Sequence, residues 1–191
     1  MHQAGPHTPE IVPVHPFGRI PALRDGDLTL FETGSIVRYV EESLPGPALL
    51  PDNIRDRARV EAWVSAISSY CYVPMIRNYV LQYIFPKRAN GRPDRGMIDA
   101  AARQIPGLLA RLESAYGERN WQVGNACTMA DLFIAPILAY VEMFPEGKQA
   151  LDDCLNVRCA FHPRTAAIAC AVRSTLSVFR PATQMRPDRI R

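Results

Sequence analysis

Eight consecutive residues, Leu44-Pro45-Gly46-Pro47-Ala48-Leu49-Leu50-Pro51, hold three prolines and a glycine. Proline fixes φ and donates no backbone hydrogen bond, so neither a helix nor a strand runs through such a stretch. It separates two unlike parts of the chain: strand and turn signals before it, and helical spacing in nearly everything after Arg55. The expected organisation is a small α/β part over residues 1–46, a linker over 47–54, an all-helical domain over 55–181 and a basic tail over 182–191. The fold class is therefore mostly α.

In the first part, Arg19-Ile20-Pro21-Ala22-Leu23 and Leu28-Thr29-Leu30-Phe31 are short apolar runs. They are joined through Asp25-Gly26, a dipeptide that tolerates the positive φ of a tight hairpin turn, and should pair antiparallel. Ile36, Val37, Val40 and Leu44 then fall on one face of a helix starting near Thr33, with Arg38, Glu41 and Glu42 facing away.

Beyond the linker, Val60, Trp63, Val64, Ile67, Tyr70 and Cys71 recur at helical spacing, and the pattern continues past Pro74 through Ile76, Val80 and Ile84. A proline inside such a run kinks or divides the helix. Residues 97–116 read as a second long helix, with Ile98, Ile105, Leu108, Leu109 and Leu112 inward and Arg103, Arg111 and Glu113 outward. Residues 132–141 are apolar on every side, as for a helix at the centre of a bundle. Shorter helical stretches follow around 148–155 and 163–176.

The charges nearly balance, 22 basic against 19 acidic, which argues against nucleic acid as a partner. No apolar stretch is long enough to span a bilayer and the opening lacks the pattern of a signal peptide, so a membrane partner is not expected and a cytoplasmic location is. Five cysteines, without a CxxC pair or zinc-type spacing, read as free thiols.

Two segments carry chemistry. In the first, an X-Pro bond at Ile20-Pro21 precedes a strand and Glu32-Thr33 opens a helix. A cis bond there would turn the preceding N–H and C=O toward a cleft, while a carboxylate and a helix start suit a ligand amine and a ligand carboxylate. The same residues also fit a plain strand entry and a plain helix cap. In the second, Thr128-Met129-Ala130-Asp131 has the spacing of a capping box.

Pro16-Phe17-Gly18-Arg19-Ile20-Pro21-Ala22-Leu23 followed by Asp25-Gly26-Asp27-Leu28-Thr29-Leu30-Phe31-Glu32-Thr33, with Pro9-Glu10 upstream and Ile36-Val37-Arg38-Tyr39 downstream, closely resembles the core of the glutathione transferases. Gly124-Asn125-Ala126-Cys127-Thr128-Met129-Ala130-Asp131-Leu132 resembles that family's helical-domain capping motif. The resemblance runs from about Pro9 to Pro181. It implies a thioredoxin-like α/β remnant of hairpin plus helix before the helical domain, and a cis Ile20-Pro21 bond. It also implies glutathione, as co-substrate, held by Arg19, Ile20, Pro21, Glu32 and Thr33. Further implications are a small apolar electrophile as second substrate, near Tyr70, Tyr72, Met75 and Tyr79, and a homodimer. The Tyr, Ser or Cys that serves the family's glutathione sulfur finds no match here, so no catalytic residue is named and conjugation is expected to need an upstream segment. A non-catalytic binding or dimerisation module of the same fold is the alternative.

Overall fold

A computed structural model describes residues 13–86, 91–154 and Val157. Strand β1 (Ala22–Asp25) pairs antiparallel with β2 (Leu28–Phe31), and helix α1 (Thr33–Ser43) follows. The turn is centred on Gly26-Asp27, one residue later than expected. Gly26 takes φ 61°, the left-handed value that the first central position of a II′ turn requires. β1 also begins later than the apolar run, because Pro21 has no N–H to give a ladder. Arg19, Ile20 and Pro21 are thereby left as an exposed loop.

α1 buries no residue completely, and among the described residues a two-stranded sheet accompanies it. Its polar residues do not simply face away as expected. Arg38 bonds Glu61 on α2 (Ile54–Ala66), and Glu41 Oε1 accepts the N–H of Leu49 at 2.6 Å. Leu49 C=O accepts in turn from Met129 N–H at 3.1 Å, so the proline-rich segment is bonded at both faces.

After α2 the chain continues as a π-wound segment (Ile67–Val80) and α3 (Leu81–Ile84). Pro74 neither breaks nor divides this rod. The turns widen instead, and Leu81 N–H reaches back five residues to Ile76 C=O. Ile67, Cys71, Met75, Tyr79 and Val80 are buried along it. The helix expected over 97–116 is two helices, α4 (Arg95–Ala102) and α5 (Ile105–Tyr116), because Pro106 clashes with a continuous preceding turn. Ile98, Ile105, Leu109 and Leu112 are buried as expected.

α6 (Met129–Glu142) crosses the π-wound segment and buries eight residues, the central helix that its composition predicted. It turns into α7 (Pro145–Asp152) at a close approach, where a Cβ on Gly147 would lie 2.2 Å from Val141 C=O. The helical stretch expected over 163–176, Cys159, Cys170 and the tail lie outside the described residues.

A polar cluster ties this corner down. Glu146 Oε2 accepts the hydroxyls of Tyr83 (2.8 Å) and Tyr79 (3.0 Å), while Oε1 accepts from Arg95 (2.8 Å). The Tyr79 oxygen also accepts the Gly147 N–H at 2.7 Å, and Phe144 stacks on Tyr83 with ring centres 4.2 Å apart. Burial pushes the Glu146 carboxyl up, but the hydrogen bonds from Arg95, Tyr83 and Tyr79 outweigh it and hold the group down at about 2. Burial, with the carboxylate beside it, raises Tyr79 well above the ordinary phenol range.

Candidate functional site

The hairpin register assembles the site. Ala22 pairs with Phe31, so the residues just outside the ladder, Pro21 and Glu32, emerge at the same open end. Antiparallel partners stand about 4.5–5.5 Å apart between Cα atoms, so two segments eleven positions apart in sequence meet at one place. The register thus sets Arg19-Ile20-Pro21 and Glu32-Thr33 at the same end of the hairpin, and all five residues are exposed.

The loop half is held from beneath. His15 is 2% exposed, its Nδ1 accepts the Phe17 N–H at 3.2 Å, and its C=O accepts the Gly18 N–H at 2.8 Å. Gly18 takes φ 59°, and Ile20-Pro21 is cis, as expected. The His15 ring packs against Phe31 (centres 5.1 Å apart) and edge-on to Phe17 (6.2 Å).

The helix half departs from a plain cap. Thr33 is the first helical residue and Glu32 occupies the cap position, with no side-chain bond to the helix. Glu32 is also the one non-glycine residue at positive φ (68°) among the described residues. Such a conformation costs about 1–3 kcal/mol and persists where surrounding structure imposes it, often at a ligand site. The first turn of α1 carries no acidic side chain, and among the described residues no side chain caps its free N–H groups. Tyr39 is committed elsewhere: its hydroxyl donates to Asp25 Oδ2 at 2.6 Å, which raises the phenol.

The four residues expected to line an apolar pocket do not stay together. Met75 and Tyr79 are core, and Tyr72 is half-exposed. Tyr70 lines a cavity of about 740 Å³ between the α2–π rod and α5, with Trp63, Cys71, Pro74, Leu108 and Arg111 among its walls. Helical periodicity could not separate these faces, because the wide π turns rotate them away from α-helical positions.

The second motif is structural. Thr128 and Asp131 form the reciprocal capping box at the start of α6. Asp131 Oδ2 accepts the Thr128 N–H (2.9 Å) and hydroxyl (2.8 Å), and Oδ1 accepts the Gln122 N–H (2.8 Å) and the Tyr116 hydroxyl (3.3 Å). Four donors saturate this buried carboxylate, which leaves it no capacity for a substrate. Sequence reasoning missed His15, whose only signal was its place one residue before the Pro16-Phe17-Gly18 motif. Among the described residues no cluster of metal-ligating side chains occurs, and no helix is long and apolar enough to cross a membrane.

Two family models match the chain: "Glutathione S-transferase, N-terminal domain" over residues 1–42 and "Glutathione S-transferase, C-terminal domain" over residues 60–164. Glutathione S-transferase F9 of Arabidopsis thaliana is 30% identical over 142 residues, covering 73% of this chain and 65% of that protein. Glutathione S-transferase F10 of the same plant is 30% identical over 145 residues, covering 75% and 66%. The chain thus spans just under two thirds of these relatives' length. The crystal structure of glutathione transferase F7 from Populus trichocarpa superposes with a TM-score of 0.75 at 25% identity, covering 88% of this chain and 80% of that one.

Proposed function

Because this chain belongs to the glutathione S-transferase family, we propose that it binds glutathione at the open end of its hairpin and presents the thiol to small apolar electrophiles. The β1–β2 register carries this reading, since it unites Ile20-Pro21 with Glu32-Thr33. The exposed backbone of Ile20 pairs with the cysteinyl backbone of the ligand. Glu32 accepts its α-amine, and the Thr33 hydroxyl with the free N–H groups of α1 takes the γ-glutamyl carboxylate. Arg19 reaches toward the glycine carboxylate. These five residues bind and orient; the group that holds the sulfur as thiolate is not among them.

A homodimer is part of the proposal, for which the exposed Tyr70, Tyr72 and Val73 of the π-wound segment offer an apolar face. So is a cytoplasmic setting, which five cysteines without paired spacing support. Calorimetric titration of the full chain with glutathione, beside its Glu32→Ala variant, tests the reading. Saturable binding weakened at least about tenfold by the substitution is expected, the loss of a charge-assisted hydrogen bond. Equal affinities, or no binding by the parent chain, would overturn it.

A further inference from the structure

We infer that His15 is the positioning residue of the glutathione half-site: its imidazole Nδ1 accepts the Phe17 N–H and so fixes the turn that delivers Ile20 and Pro21. The inference rests on the glutathione-binding reading above. His15 sits at 2% exposure in a loop whose next residues, Pro16 and Phe17, are exposed, so its burial is a property of the side chain and not of the segment. A nitrogen that accepts an N–H carries no proton, which places the ring hydrogen on Nε2. Bonding the amide two residues on is the geometry by which Asn and Asp side chains build turns, and the His15 C=O captures the next amide, of Gly18.

What imidazole adds is a second contact. Its ring lies on Phe31, the residue immediately before the strained Glu32, so one side chain bears on both halves of the site. Phe17 closes the group against Phe31 with ring centres 6.4 Å apart. The charged residues flanking this packing are Arg19 on the loop and Glu32 at the end of β2. Neither bonds His15 among the described residues.

Two substitutions separate hydrogen bond from packing. His15→Phe keeps an aromatic ring on Phe31 without the acceptor, whereas His15→Asn supplies an acceptor at the same reach without the ring. Amide hydrogen exchange at Phe17 and Gly18 and calorimetric glutathione affinity are measured on the full chain at one fixed pH. The expected result is a protected Phe17 amide in the parent. His15→Phe should show protection lost and affinity about two- to tenfold weaker, and His15→Asn should restore the protection. Undiminished Phe17 protection in His15→Phe, or protection in His15→Asn no better than in His15→Phe, overturns the assignment. If exchange follows the expected pattern but the parent chain binds no glutathione, the binding reading fails and the half-site role of His15 fails with it.

Discussion

Tyr83 donates its hydroxyl proton to Glu146 at 2.8 Å across 63 residues of sequence, and the same carboxylate receives Tyr79 and Arg95. The end of the π-wound rod, α4 and the α6–α7 corner thus share one anion.

Acid should loosen that junction. The folded Glu146 carboxyl titrates near 2, below its ordinary value of 4.5. A depressed folded value contributes stability that is complete above about pH 5 and drains away as pH falls toward 2. Glu146→Gln should therefore lower stability at pH 7 by about 1–2 kcal/mol, with the charged bonds discounted for partial exposure. The variant should lose less than the parent between pH 5 and 3. Urea midpoints across that range check both expectations.

Thr128→Ala should destabilise the protein by about 0.5–2 kcal/mol, the range for a lost hydroxyl cap. Asp131→Ala should cost more, about 3 kcal/mol or above, because it strands the buried amides of Thr128 and Gln122 together. Denaturant curves with unchanged slopes would make the comparison direct. Equal midpoints for the two variants would show that the Gln122 and Tyr116 bonds contribute nothing.

Glu32→Gly sets stability against binding. Glycine adopts φ 68° without steric cost, so the variant should be as stable as the parent or up to about 1 kcal/mol more stable, after the larger unfolded-state entropy of glycine is counted. Glutathione affinity should fall all the same. A thermal melt beside the calorimetric titration reads both quantities, and a clear loss of stability would mean that the Glu32 side chain has a structural partner.

Cys71 is 6% exposed on the wall of the 740 Å³ cavity, and burial pushes its thiol up. Among Cys71, Cys127 and Cys154 it should alkylate most slowly at pH 8. An apolar molecule lodged in the cavity should slow it further. Peptide-resolved labelling rates test this, and fast labelling of Cys71 would mean that the rod opens at Pro74.

What the sequence made legible was local. The capping box, the central helix and the hairpin each announce themselves within a dozen residues, through Thr128-Asp131 spacing, all-round apolarity and Asp25-Gly26 beside alternating runs. The division at Arg103-Gln104 was also within reach, since Pro106 sits where a continuous helix would need a donor. Three features were not accessible this way. The Glu146 cluster joins residues 51 to 67 positions apart, Glu32 holds a backbone conformation that its residue type disfavours, and Pro74 is absorbed by wide turns along which Met75 and Tyr79 are buried. Of the proposed site, Arg19, Ile20, Pro21, Glu32 and Thr33 are singled out by the family resemblance, whereas His15 beneath the loop became visible only through its burial.

Gly26 and Asp27 make the shortest connection an antiparallel pair allows, and that brevity sets a length standard for everything at the far end of the hairpin. One residue inserted into the turn would shift the pairing by one step and turn alternate side chains to the opposite face. Pro21 and Glu32 would then no longer emerge side by side, although neither had been touched. Substitution of Asp27 leaves that gauge unaltered. Sequence drift here is thus constrained in length and, at Gly26, in composition.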